Sequence, residues 1–446
     1  MRLLIVAILA GLSLGASGAA AQDRPAPASA STVLEEGLRL AQGLVAAEAP
    51  AQCAAAPGQW PGLTLDQGRV VAADLLDEIG GYAREAGVTG GLGGALRIVT
   101  SDQDYDPRAG EKPIPGSLRA ALTTGPDGPR WIVFGLPPGT AITLKDVLRT
   151  PDNVTFDGTC SGVTIQAPPR TALIYIFDKR NVVVARLGFQ QADYVAGRHD
   201  DKGQTCIRLN GFVDAIAIMH NDMRRCGDGL VDITTSPSKP VPERARITIG
   251  YNRFAEHDKV MLFGTFTCGP TGRDDEPCDA RELEHNRKSA PGLYLTLNDN
   301  LFLGTVQRHP RVFGRVMAHI VGNVIAYSSY GTFVSNGARA LIEGNVYLMT
   351  GAPTTPHRAV WTTKTPGAMR MPWDVEGFIK ARDNRTVGQA IIGENEPGLV
   401  DTPPYRQPTI LPAFDRLSLP EAIACVAARA GPQGLSRWPA PCRSGG

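Results

Sequence analysis

The chain has 446 residues, enough for one large domain or two ordinary ones, and a formal net charge of +1. That balance gives no basis for nucleic-acid binding or for a broad steering field, so an anionic substrate would have to be met by a local cluster of charge.

The N-terminus reads MRLLIVAILAGLSLGASGAAAQ. Arg2, the apolar run Leu3 to Leu14 and the small residues Ala19 to Ala21 predict a secretory signal peptide over residues 1–21. The apolar run is short of the roughly 20 residues a membrane span needs, and no later stretch is long or apolar enough. Eight cysteines suit an oxidising compartment. Cys268–Cys278, Cys425–Cys442 and Cys206–Cys226 are candidate pairs, although connectivity is not readable from sequence. No Cys/His spacing suggests zinc.

Residues 22–89 read as a linker and a helical extension. Thr32-x-x-Glu35 resembles a capping box opening a helix through Ala46. Thr64-x-x-Gln67 suggests a second helix, with Val70, Val71, Leu75, Leu76 and Ile79 at helical spacing. From Gly90 the texture changes to short β-rich runs punctuated by Gly, Asn, Asp and Pro, with a short helical insertion at Pro115 to Leu122. The runs recur at intervals of roughly 20–25 residues, the signature of a stacked β-solenoid. A β-sandwich is the competing all-β fold. Asn153, Asn181, Asn252, Asn300, Asn323 and Asn345 fall near turns, where stacking along a solenoid and plain turn propensity are both open readings. Residues 90–350 form the expected solenoid. Residues 351–446 read as an irregular tail packed along it, with a terminal helix at Leu419 to Ala428.

Chemistry-bearing residues concentrate between Cys226 and Asn323. Asp228-Gly-Leu-Val-Asp232 is followed by ITIGYNRFAEHDKVMLFG and then by Arg308-His-Pro-Arg-Val, with His319 and Asn323 downstream. In this order the motifs resemble the pectate lyase family of polysaccharide lyases, over about Gly90 to Tyr347. The resemblance implies a right-handed parallel β-helix and calcium-assisted β-elimination on an acidic polysaccharide. It implies that Asp228 and Asp232 bind calcium, that Lys259 pairs with a substrate carboxylate and that Arg308 takes the C5 proton. A hard cation suits carboxylate oxygens. An arginine base demands unusual surroundings, since a guanidinium is ordinarily always protonated; otherwise Arg308 is a carboxylate clamp.

Three places depart from the family pattern. Thr205 stands where a further calcium-binding Asp is expected, leaving Asp201 as a shifted candidate ligand. Met219-His220 also stands where an Asp-His pair is usual. Phe313 stands where a second substrate-binding arginine is expected, leaving Arg311 and Arg315 as substitutes. His220 and His257 read as structural. The resulting expectation is a secreted, monomeric polyuronate lyase. The alternatives are a non-catalytic β-helical carbohydrate-binding protein and a polygalacturonate-type glycoside hydrolase. Hydrolysis would need paired carboxylates about 6.5–9.5 Å apart for inversion.

Overall fold

The computed structural model describes residues 29–48, 60–168, 172–192, 205–234, 244–264, 281, 291–327, 330–349, 357–365, 376–388, 390–405 and 416–443. Most strands fall into three sheets, one of twelve strands and two of nine, and strand order in each follows the chain turn by turn. One turn runs Asp214–Met219 in the first sheet, Asp222–Arg224 in the second and Val231–Thr234 in the third. The next runs Ala245–Gly250, Arg253–Lys259 and Met261–Gly264, and the one after that Leu293–Asn298, Leu301–Gln307 and Arg311–Phe313. Successive turns pair in parallel and in register, as in Ile216↔Ile247 and Ile247↔Leu295. This is a parallel β-helix, the solenoid expected from the strand spacing.

Side-chain alternation fills its interior. Ile216, Ile247, Leu295, Ala318 and Ala340 stack inward from the first sheet, and Ile233, Phe263, Val312 and Val334 from the third. At the corner between the first and second sheets, an asparagine ladder runs Asn221, Asn252, Asn300, Asn323, Asn345 and Asn384. Each of the first five donates from both its backbone N–H and its Nδ2 to the Oδ1 of the next, at 2.9 to 3.1 Å. The preceding residue is left-handed in every turn: His220, Tyr251, Asp299, Gly322, Gly344 and Asp383. Asn153 and Asn181 form a separate pair, Asn181 Nδ2 donating to Asn153 Oδ1 at 2.7 Å. Stacking therefore accounts for Asn252, Asn300, Asn323 and Asn345, while Asn153 and Asn181 themselves take the positive φ that asparagine tolerates in turns.

The two ends of the chain pack on the outside of the β-helix, where Ala30, Val33, Ile423 and Val426 share one apolar cluster with Val324, Val346 and Leu348 of the second sheet. The helix Ala30–Glu48 packs on the helix Leu419–Arg429, so closely that a Cβ on Gly37 would lie 2.5 Å from Ile423 Cγ2. Its first turn is capped by Ser29, which accepts from Thr32 N at 3.2 Å, so the cap lies before Thr32. Tyr82 N and Ala83 N donate to Thr296 and Thr248 on the first sheet. Glu78 anchors the C-terminal segment: it accepts from His220 at 2.9 Å, Arg186 at 3.2 Å and Arg429 at 3.4 Å. Burial works to raise the Glu78 pKa, but these partners hold it at about 2. Arg429 also lies 3.9 Å over the Tyr251 ring.

Two sequence expectations change here. The second predicted helix is instead the hairpin Leu63–Asp66 and Arg69–Ala73, followed by short helices Asp74–Asp77 and Gly81–Glu85. Gln67 and Gly68 both take positive φ, the backbone of a two-residue hairpin turn. The sheets also run on beyond residue 350: His357–Trp361, Phe378–Arg382, Arg385–Val387 and Ala390–Ile392 continue them. The short helix Leu118–Thr123 and the terminal helix appear where expected.

Candidate active site

The chemistry gathers at the corner between the second and third sheets. Asp228 lies in the turn before Val231–Thr234, Lys259 ends Arg253–Lys259, and Arg308 follows Leu301–Gln307. Three consecutive turns of the β-helix therefore bring two acids, a lysine and an arginine to one edge. Backbone bonds fix the register: Leu230 N donates to Val260 O at 2.8 Å, and Val260 N and Met261 N donate to Gln307 O and Arg308 O, both at 3.0 Å. Lys259 pairs in register with Gln307, the residue before Arg308. Arg308 has φ +64°, so the chain turns at the residue that carries the guanidinium.

Asp232 is buried, with both oxygens held. Leu262 N donates to Oδ1 at 3.0 Å and Thr205 Oγ1 donates to Oδ2 at 2.8 Å. Gly229 explains the glycine of the Asp-Gly-x-x-Asp motif, because a Cβ there would sit 2.3 Å from Asp232 Oδ1. Burial, with the charge of Asp228 behind it, pushes the Asp232 carboxyl up to about 6, opposed by Thr205, Arg308 and Leu262 N. The two acids and Arg308 thus share one electrostatic neighbourhood.

The histidines are structural. His257 Nε2 donates to the Asp228 carbonyl and braces its turn. His309, buried directly after Arg308, donates from Nδ1 to Tyr330 O at 2.7 Å and accepts the Thr305 hydroxyl at Nε2 at 2.8 Å. Burial holds its pKa down at about 3, so it stays neutral. Sequence reasoning missed His309 as a brace; only its position beside Arg308 pointed to it.

Among the substitutes for the second arginine, Arg311 lies on the third sheet in the row that includes Asp232, through Leu262. Arg315 lies past Arg311–Phe313, toward the first sheet, and is not brought to the same corner. The Phe313 ring folds over Gly264, where an added Cβ would collide with it. Asp201, the shifted calcium candidate, and the Cys268–Cys278 pair lie outside the described residues. Cys206–Cys226 and Cys425–Cys442 are disulfides, the first joining consecutive turns beside Thr205.

Fold and corner together define a parallel β-helix protein with an acid-and-cation edge between its second and third sheets. Its relatives give that class a narrower place. The chain is 30% identical over 200 residues to probable pectate lyase 6 of Arabidopsis thaliana, covering 43% of this chain and 40% of that one. It is 28% identical to probable pectate lyase 4 of the same plant, covering 60% and 62%. It is 28% identical to a pectate lyase of Lilium longiflorum, covering 60% and 57%. The chain thus spans less than two thirds of the length of these relatives. No family model matches. Similar solved structures include the cedar pollen allergen Jun a 1, at 20% identity, TM-score 0.49 and 79% and 92% coverage. A Bacillus pectate lyase in complex with trigalacturonate gives 17% identity, TM-score 0.48 and 79% and 98% coverage. The chain is a parallel β-helix protein related in sequence to the pectate lyases.

Proposed function

We propose that this protein is a secreted polysaccharide lyase that cleaves polygalacturonate, or a related polyuronate, by β-elimination. The observation that carries the reading is the convergence of Asp228, Asp232, Lys259 and Arg308 on one corner of three successive turns, in a chain with pectate lyase relatives.

The residues fit calcium in part. Asp232, whose ionisation is made costlier by burial and by the charge of Asp228, pairs with that second carboxylate in a way that suits a hard cation. Among the described residues no group of three or more His, Cys, Asp or Glu forms a closed cage. Asp228 and Asp232 would hold the ion, with substrate carboxylate and water completing the sphere. Bound there, calcium would supply charge that stabilises the carboxylate-linked carbanion. Lys259 pairs with the uronate carboxylate as a point charge. Arg308 removes the C5 proton, the C4–O4 bond breaks and a C4=C5 double bond forms; water protonates the leaving O4. The disulfides Cys206–Cys226 and Cys425–Cys442 support an oxidising, extracytoplasmic location.

Mass spectrometry of the products tests the class of reaction. Elimination yields one fragment lighter by a water than the matching hydrolysis product. Products of hydrolytic mass, or binding with no cleavage, would overturn the reading.

A further inference from the structure

The outward row of the third sheet continues past the corner as Asp232–Leu262–Arg311–Phe333–Trp361, each residue paired in register with the next. Ile233, Phe263, Val312, Val334 and Val360 on the same strands point into the core. Alternation therefore turns this row to the face that carries Asp232.

Beyond Leu262 the row becomes an arginine–aromatic stack. The Arg311 guanidinium lies 5.7 Å from the Phe313 ring and 5.7 Å from the Phe333 ring. Phe333 stacks on Trp361 at 3.8 Å with an interplanar angle of 17°. The Arg358 guanidinium lies 5.6 Å from the Trp361 ring. Two rings on Arg311, one of them backed by a second ring and a second cation, restrict a side chain that is otherwise rich in rotamers. A planar guanidinium held in this way is pre-organised for bidentate recognition of a carboxylate.

The geometry points to Phe333 and Trp361 as positioning residues that hold Arg311 as a uronate clamp two turns, about 10 Å, beyond Asp232. Phe313 then has a role of its own: the ring that replaces the expected arginine flanks the guanidinium that does the work instead. The stack makes an unesterified carboxylate at this subsite a determinant of binding. This inference rests on the polyuronate reading.

Its test is calorimetric binding of trigalacturonate, and of fully methyl-esterified trigalacturonate, to the full chain with calcium present. Arg311→Ala and Phe333→Leu each weaken trigalacturonate binding by about tenfold, the loss of one charge-assisted contact. Phe333→Tyr binds as wild type, and the Arg311→Ala/Phe333→Leu double variant binds no more weakly than Arg311→Ala alone. The preference for the free acid over the ester falls in parallel. If Phe333→Leu does not fold, Arg311→Lys decides: it binds as weakly as Arg311→Ala if stacking matters, and as wild type if charge alone does. Additive losses, an unchanged Phe333→Leu, a wild-type-like Arg311→Lys, or a wild type that does not bind trigalacturonate would each overturn the proposal. A wild type that binds trigalacturonate yet forms no unsaturated product refutes the elimination reading alone, and the binding comparison still decides the clamp.

Discussion

Thr205 Oγ1 donates to Asp232 Oδ2 at 2.8 Å, across two consecutive turns of the β-helix. The residue that stands in place of an expected acid is thus a hydrogen-bond donor to the acid that remains. One negative charge fewer sits at this corner, and a neutral hydroxyl meets Asp232 where a further acid would add to the repulsion from Asp228.

Thr205→Asp restores the third carboxylate and raises calcium affinity. The calcium concentration for half-maximal activity falls by roughly tenfold, in line with the dependence of such sites on ligand charge count. With chelator the same variant melts at a lower temperature than wild type, because three acids then repel one another. Calcium titrations of activity and melting curves with and without chelator check both halves. An unchanged calcium requirement would place the metal elsewhere.

Arg308→Ala lowers kcat by about 10²–10⁴, the range for loss of a positioned proton-transfer group, with little change in melting temperature. Arg308 is half-buried and lies outside the core, so its removal leaves the packing intact. Loss of substrate binding with kcat retained would make it a clamp instead.

The corner was readable in sequence because its motifs are local. Asp228-Gly-Leu-Val-Asp232 needs Gly229 for the close approach of the carboxylate, and each cation sits one turn further along. What was not readable depends on neighbours far away in the chain. His309 is defined by Thr305 and by Tyr330, a residue in the next turn. Asn221 and Asn384 look like ordinary turn residues until the ladder continues through them. The hairpin at Gln67-Gly68 was overruled by apolar residues whose spacing also suits a helix; two positive φ values in a row decide it. The strands past residue 350 are short and separated by polar segments, and only pairing with the preceding turn defines them.

That ladder gives a stability prediction. Asn300→Ala removes bonds made to Asn323 Oδ1 and Ile249 O and leaves Asn252 N without its acceptor. Unsatisfied buried groups cost about 1–3 kcal/mol each. The variant unfolds at a clearly lower denaturant concentration than Asn181→Ala, whose site is partly exposed. Equal midpoints would deny the ladder a structural role.

Asp299 sets a pH limit. It is fully buried, and burial pushes its pKa up to about 8 from an ordinary 3.8. The folded chain holds this proton while the unfolded chain has lost it, so stability falls as pH rises from about 4 to about 8. The slope is about 1.4 kcal/mol per pH unit at most. Asp299→Asn removes that slope, so its melting temperature exceeds that of wild type by a margin that grows across the window. A margin constant with pH would show Asp299 ionised in the fold.

The central claim is elimination at the Asp228–Asp232–Lys259–Arg308 corner. It is tested most directly by following the ultraviolet absorbance of a 4,5-unsaturated uronate with polygalacturonate at alkaline pH. The account predicts a rising band that requires calcium, disappears with chelator and is lost in Arg308→Ala. A folded protein that generates no such band on any polyuronate, with calcium present, would contradict it.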